Sequence, residues 1–366
     1  MDKIKKNFGF GFMRLPMLGD EVDYEQTIRM VDAFLAAGFN YFDTAHGYID
    51  GKSEIALRRC LTSRYPRESY VLTNKLSPNF FEKQEDIRPL LQQQLEACGV
   101  AYFDFYLMHS QNKTLFAKYK ACRAYETALE LKDEGKIRHF GISFHDKAVV
   151  LDQILTEYPQ IEVAQIQLNY VDMDAPIVES RKCLEVCRKH KVPAIIMEPV
   201  KGGKLVNLPE AAAGVLDALQ GGSHASYAIR FAAGQEGVIM VLSGMGSMEM
   251  VMDNVGYMQN FRPLDDRERE AIEQVRRIFA SFDTIACTDC RYCMEVCPRK
   301  IPTPKFFALM NAKKVWGNWN REYAGELLNA PGQSPDSCIG CGDCEAACPQ
   351  HLPIRRLLQT VEKALC

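Results

Sequence analysis

The chain has 366 residues, a formal charge of -3, 47% hydrophobic residues and 25% charged residues, which is enough to bury a large core together with a smaller domain. That balance offers nothing to nucleic acid or to an anionic membrane. The N-terminal MDKIKKNFGFGFMRLP holds no apolar stretch of signal-peptide length, and no segment approaches the roughly 20 apolar residues that span a bilayer, so a cytoplasmic protein with no nucleic-acid and no membrane partner is expected.

Short apolar runs alternate with amphipathic stretches through the first 262 residues. The runs are Phe10–Met13, Asn40–Asp43, Tyr70–Lys75, Phe103–His109, His139–Ser143, Val163–Gln167, Ala194–Glu198 and Val238–Ser243. Their near-continuous Val, Ile, Leu, Phe and Tyr content suits parallel strands covered by helices. Between them, Glu25–Ala37, Ile87–Ala97, Lys118–Glu134 and Ala148–Glu157 read as helices. Eight such units in about 250 residues predict an α/β fold, the (β/α)8 TIM barrel. An open doubly wound sheet would want a glycine-rich phosphate loop after its first strand; GFGFMRLP has no third glycine and opens no helix.

Leu264–Phe282 follows as a charged amphipathic helix, so the expected division is a barrel over 1–262, a connecting helix over 263–282 and a small domain over 283–366. That domain carries a cysteine run used twice: Cys287, Cys290, Cys293 and Cys297-Pro298, then Cys338, Cys341, Cys344 and Cys348-Pro349. The CxxCxxCxxxCP spacing is the ferredoxin pattern for two [4Fe-4S] clusters, in which the fourth thiolate comes from the other run. Cys287, Cys290, Cys293 and Cys348 are therefore assigned to one cluster, and Cys338, Cys341, Cys344 and Cys297 to the other. Zinc sites favour paired CxxC knuckles instead. The segment between the runs holds FFALMNAKKVW and REYAGELL at helical spacing, and Leu352–Leu365 should form a last helix, so a mainly helical ferredoxin-like domain is expected. Trp316 and Trp319, in that segment, are expected to pack in a core rather than form a docking surface. Of the remaining cysteines, Cys60, Cys98, Cys122, Cys183, Cys187 and Cys366, the pair Cys183 and Cys187 is read as buried small hydrophobes, because no neighbouring His or Cys completes a metal site.

In a (β/α)8 barrel the chemistry sits at the C-terminal ends of the strands. Asp43 ends one strand in FDTAHGYIDGKSE, Tyr48 follows on the loop, Lys75 ends VLTNK and His109 ends FYLMH. A tyrosine hydroxyl is a poor acid near neutral pH unless a cation lies nearby; Lys75 supplies that charge, and Asp43 holds Lys75 by an ion pair. His109 would orient a carbonyl oxygen towards Tyr48. Together they form a proton donor beside an oxyanion site, which carbonyl reduction by hydride requires.

Asp43, Tyr48, Lys75 and His109, in this order and at these strand ends, resemble the catalytic tetrad of the aldo-keto reductase superfamily. With the cysteine runs, GFGFMRLP, FDTAHGY and MEPVKGGKL, the chain is similar to a subgroup carrying a C-terminal ferredoxin-like domain. The resemblance implies a nicotinamide dinucleotide across the barrel mouth, NADP or NAD with NADP slightly favoured. Ser143 and Gln165 would hold the carboxamide, and Pro199, Lys201, Gly203 and Leu205 would belong to a loop closing over the diphosphate. Ser243, Gly244 and Gly246 would form the phosphate-side turn, with Asn254 at the adenine. The arginines that NADP-preferring members direct at the 2′-phosphate align with Gly246 or Met250, and Lys201 or Lys204 would have to replace them. The expected activity is NAD(P)H-dependent reduction of an aldehyde or ketone with Tyr48 as proton donor, the clusters being structural or linked to a ferredoxin or other redox partner. The alternatives are a ferredoxin-linked electron-transfer enzyme and a cluster-based redox sensor. A barrel mouth can also hold FMN, so a flavin stays open.

Overall fold

A computed structural model describes the chain apart from residues 2, 177, 288–291, 318–324, 326, 329, 330, 349, 350 and 366. Two compact units emerge: Met1–Asn207 with Leu219–Ile272, and Leu208–Ala218 with Glu273–Cys366.

In the first unit, β1 (Phe8–Gly11), β4 (Tyr41–Asp43), β5 (Val71–Leu76), β6 (Phe103–Gln111), β7 (Ile137–Phe144), β8 (Val163–Gln167), β9 (Ala194–Met197) and β10 (Val238–Gly244) close a parallel barrel in sequence order, β10 pairing with β1. A short antiparallel hairpin, β2 (Met17–Leu18) with β3 (Glu21–Val22), follows the first strand. The barrel interior is filled by Tyr41, Val71, Phe105, Leu107, Val163, Ile195, Met240 and Leu242. The larger core lies between strands and helices and includes Phe8, Phe10, Phe12, Phe34 and Phe42.

The first strand lies two residues earlier than expected, over Phe8–Gly11, and the reason is packing. Phe8 and Phe10 face the helix Tyr24–Ala36, with Phe34 5.9 Å and 5.5 Å away ring to ring. Gly9 faces the crowded interior, where a Cβ would come within 2.8 Å of Leu242 and 2.9 Å of Tyr41. The helix expected over Lys118–Glu134 is two, Lys113–Ala121 and Ala124–Asp133. The break falls at Arg123, which takes the left-handed conformation with φ 50° and so cannot continue a right-handed helix.

In the second unit, Thr303–Trp316 and Ile354–Leu365 are helices. They enclose a core of Ile301, Phe306, Phe307, Ile354, Leu358 and Val361 that also takes in Cys293 and Cys348. Asn311 bonds both the N–H and the C=O of Ile285, at 2.7 Å and 2.9 Å, and fixes the chain just before Cys287. Trp316 packs its ring 5.7 Å from Phe279; Trp319 and most of REYAGELL lie outside the described residues. The helix Asp266–Ser281 crosses the division between the units, and the helix Glu210–Asp217 belongs to the second. Among the described residues no helix is long and apolar enough to cross a membrane.

Candidate active site and cysteine centre

Neighbouring strands bring the polar strand-end residues together at the C-terminal mouth of the barrel. Lys75 Nζ donates to Asp43 Oδ1 at 2.6 Å, to the carbonyl of Thr44 at 2.7 Å and to Tyr48 Oη at 3.3 Å, with the Lys75 side chain fully buried. Burial works against the ammonium, but Asp43 and Tyr48 outweigh it and hold Lys75 above its ordinary value. Burial also pushes the Asp43 carboxyl up while Lys75 pulls it back. At 2.6 Å each charge is the other's compensation, so the pair is ionised as a unit. The other carboxylate oxygen, Asp43 Oδ2, accepts from Gln165 Nε2 at 3.3 Å.

Lys75 therefore lies under Tyr48, its Nζ 4.9 Å from the ring centroid. Burial raises the Tyr48 hydroxyl above its usual range, and Lys75 opposes that rise. The cation limits a penalty here rather than producing an acidic phenol outright. The His109 ring stands edge-on to Tyr48 with centroids 5.9 Å apart. Burial, aided by Lys75, lowers His109 well below the ordinary histidine value, so the ring is neutral. Its Nδ1 lies 2.8 Å from Ser77 Oγ. If the serine hydroxyl donates to Nδ1, the proton sits on Nε2, where it can be offered to an oxygen in front of Tyr48.

Two further residues bear on this centre, Glu54 and Glu198. Glu54 is buried, accepting from Asn74 Nδ2 at 2.7 Å and pairing with His46 Nδ1 at 2.8 Å. The Glu54 hydrogen bond raises His46 above its ordinary value and ties the loop carrying Tyr48 to strand β5. Glu198, one residue past β9, has φ 58°, a conformation that costs a non-glycine residue free energy and recurs at functional sites. Its carboxylate adds to the rise of Tyr48.

A cleft of about 330 Å³ opens at Glu198, and Pro199, Gly203, Ser243, Gly244, Gly246 and Asn254 all line it. Arg14, Glu198, Met250 and Asp253 line it as well. Arg14 approaches Glu198 at 3.8 Å, and its stem lies over Gly244, where an added Cβ would meet it at 3.4 Å. Gly202 and Gly203 both have positive φ, which lets the PVKGG turn fold on itself. Two of the expected loop residues do not line it: Leu205 is buried, and Lys201 donates to both oxygens of Asp172 at 2.6 Å. Asn254 Nδ2 donates to Ser243 Oγ at 3.2 Å, joining the turn to the helix Met248–Met258.

Ser143 and Gln165 face each other across the β7–β8 register. Ser143 Oγ is buried and, among the described residues, has no protein hydrogen-bond partner. An orphaned hydroxyl beside a carboxamide side chain is a ready partner for a ligand amide, so these residues fit a nicotinamide.

In the second unit, Cys297, Cys338, Cys341 and Cys344 line one small cavity together with Arg355. Burial, with Glu345 and the thiols of Cys338, Cys341 and Cys297, pushes Cys344 up to about 11. A thiol of the first run thus stands among three of the second, the donor set a cubane cluster requires. Arg355 bonds Glu345 Oε2 at 2.8 Å and the carbonyl of Gly340 at 3.3 Å, bracing the loop that carries these cysteines. Cys293 and Cys348 share the core of the unit with Cys287 packed against it; Cys290 lies outside the described residues. Among the described residues no three His, Cys, Asp or Glu converge as ligands of a single metal ion. Cys183 and Cys187 are buried, with burial pushing both thiols up to about 12, as inert core cysteines should be.

The model of the aldo/keto reductase family matches residues 7–277, and that of the 4Fe-4S dicluster domain matches residues 286–352. The NADH-specific methylglyoxal reductase of Escherichia coli (strain K12) is 27% identical over 195 residues, 48% of this chain and 57% of that protein. Prostaglandin F synthase 1 of Bos taurus is 25% identical over 205 residues, 49% of this chain and 61% of that protein. The chain thus spans about six tenths of the length of such curated relatives. Among solved structures, an aldo-keto reductase from Klebsiella pneumoniae in complex with NADPH has a TM-score of 0.60 at 19% identity, covering 75% of this chain and 95% of that one. The aldo-keto reductase AKR11C1 from Bacillus halodurans has a TM-score of 0.57 at 24% identity, covering 74% and 92%. Both carry the same barrel.

Proposed function

This chain belongs to the aldo/keto reductase family and carries a C-terminal 4Fe-4S dicluster domain, and on that premise we propose that it reduces an aldehyde or ketone to the alcohol with a nicotinamide dinucleotide. The observation that carries the reading is the buried Asp43–Lys75–Tyr48 chain facing a neutral His109. Ser143 and Gln165 would hold the carboxamide, and the cleft lined by Ser243, Gly244, Gly246 and Asn254 would hold the rest of the dinucleotide. Bound there in its reduced form, the dinucleotide supplies a hydride.

The residues of the chain do the remaining work. His109 donates a hydrogen bond to the substrate carbonyl oxygen and sets it before Tyr48. As negative charge grows on that oxygen, the Tyr48 hydroxyl passes it a proton, and Lys75 stabilises the phenolate left behind. Asp43 holds Lys75 charged and in place. One hydride on carbon and one proton on oxygen balance the alcohol. Tyr48→Phe keeps the ring and removes the proton. Loss of carbonyl reduction with unchanged dinucleotide affinity is the expected result; wild-type turnover would sink the assignment.

Cys297, Cys338, Cys341 and Cys344 would hold one [4Fe-4S] cluster, and Cys287, Cys290, Cys293 and Cys348 the other; such clusters pass single electrons. Cys341 is exposed and Ile339 beside it is 58% exposed. That supports a second reading of the cluster unit, exchange of electrons with a ferredoxin or similar carrier. An anaerobic titration with reduced nicotinamide separates the readings. Bleaching of the cluster absorbance means electrons cross between the units, and binding without bleaching means the hydride chemistry stands alone.

A further inference from the structure

The two cysteine sets of the second unit sit in unlike surroundings. Cys293 and Cys348, 7% and 8% exposed, belong to a core with Phe306, Phe307 and Ile354. Cys297, Cys338, Cys341 and Cys344 lie nearer the solvent: Cys341 is exposed and the other three are half-buried. Among the described residues that line the cavity they share, the charged ones are Arg299 and Arg355, both cations. Reduction adds one electron to a cage that four thiolates already make anionic, so cations and water beside it favour the reduced form and apolar burial opposes it.

Arg355 is held in place at that cavity. It lies in the first turn of the helix Ile354–Leu365, and its guanidinium reaches from Glu345 to the carbonyl of Gly340. The backbone N–H of Arg355 donates to the other oxygen of Glu345, Oε1, at 2.8 Å, so one carboxylate grips both ends of the residue. An added Cβ at Gly342 would meet Arg355 Cζ at 3.7 Å, which sets the cation against the turn between Cys341 and Cys344. Glu345 is not among the residues lining the cysteine cavity; it lines a neighbouring groove that Arg355 also borders. Its charge still reaches Cys344, whose thiol it helps to push up, so the two members of the pair act on these cysteines with opposite sign. Arg299 and the water at Cys341 tip the balance towards the reduced form.

We propose that the two clusters differ in reduction potential, the one on Cys297, Cys338, Cys341 and Cys344 being the higher and accepting the first electron from a one-electron donor. Arg355 raises that potential and Glu345 holds it in check. The inference rests on the two-cluster reading above and deepens it: the more exposed cluster is the one that fills first.

A redox titration of the full chain tests it, with dithionite as the one-electron reductant in the absence of oxygen, the electron paramagnetic resonance of the reduced clusters as the signal, and iron analysis alongside. The unaltered chain should hold about eight iron atoms and fill in two one-electron waves separated by about tenfold or more in electron affinity, which is about 59 mV. Arg355→Gln should lower the upper wave roughly threefold to tenfold and leave the lower one in place, and Arg355→Lys should keep most of the wild-type value. Glu345→Gln should move the upper wave the other way. That reversal of sign separates charge from bracing, because both substitutions loosen the same loop and loosening alone shifts the two variants alike. If Arg355→Gln loses iron, Glu345→Gln decides: an upper wave that stays in place or falls overturns the inference. So does a single unsplit wave, a shift confined to the lower wave, or a shift of the same sign in both Gln variants, each with the iron still bound. A chain that takes up no iron, or half as much, ends the two-cluster reading and this inference together.

Discussion

Asp43→Asn is the substitution whose consequences the structure fixes most tightly. It keeps the shape of the side chain and removes the charge 2.6 Å from Lys75 Nζ, in a place where Lys75 is fully buried. Removing one partner of a buried pair typically costs about 3–5 kcal/mol, because the survivor is left charged without compensation. At about 2–4 °C per kcal/mol for a domain of this size, the barrel should melt roughly 6–20 °C below wild type. The pH dependence should also change sign. In the wild type Lys75 is held above its ordinary 10.5. Its contribution is therefore complete below that value and lost as pH rises through the folded-state value. Without Asp43, burial pushes Lys75 down, the unfolded chain binds the extra proton, and stability rises with pH towards the ordinary lysine value. Thermal melts followed by circular dichroism across about pH 7 to about pH 10 read both effects. Asp43→Asn combined with Lys75→Met should recover most of the lost stability and none of the activity. A single variant that loses less than about 1 kcal/mol, or whose stability falls with pH over that range, would refute the reasoning.

Tyr48→Phe should lower kcat for carbonyl reduction by about 10²- to 10⁴-fold, the range of a lost general acid, and leave the dinucleotide dissociation constant unchanged; steady-state kinetics and a binding titration check both halves. Ser77→Ala removes the partner of His109 Nδ1 at 2.8 Å and frees the imidazole to carry its proton on either nitrogen. A fall in kcat with the tyrosine-linked pH profile kept in shape is expected, and an unchanged kcat would mean Ser77 does not orient the ring. Cys297→Ser should cost the cluster held mainly by the second cysteine run, taking bound iron from about eight to about four atoms per chain. Iron analysis that shows no loss would mean the crossed arrangement is wrong.

The barrel was legible because eight apolar runs of parallel-strand character can be closed by few architectures; the run Val163–Gln167 is β8 to the residue. The grouping of Asp43, Tyr48, Lys75 and His109 was legible because strand ends and the loops after them meet at one mouth of such a barrel. What escaped is instructive in each case. Phe8, Phe10 and Phe12 are equally apolar and all buried, so apolar character alone does not fix the strand's bounds, whereas the crowding at Gly9 shows up only in the fold. Glu54 in KSEIALR has the sequence character of an exposed helix position, yet it is buried by partners far along the chain, Asn74 among them. Arg14 looks like one cation among several near the N-terminus until the fold lays it along Gly244 and opposite Glu198. Glu198 was a strand-end residue in plain view, and the same positional logic that found Asp43 would have found it. Lys201 and Leu205 match a loop motif, but Asp172 claims the first side chain and the second is buried.

The unpartnered hydroxyl of Ser143 has a cost of its own. A buried polar group without a partner destabilises the fold by about 1–3 kcal/mol. A ligand that satisfies it returns that amount as affinity, so the protein without ligand holds in reserve part of the energy with which it binds. Stability and recognition therefore pull apart at this residue. An alanine there would make the ligand-free enzyme harder to unfold and easier to leave empty, and a screen for thermostable variants would collect that change while discarding function.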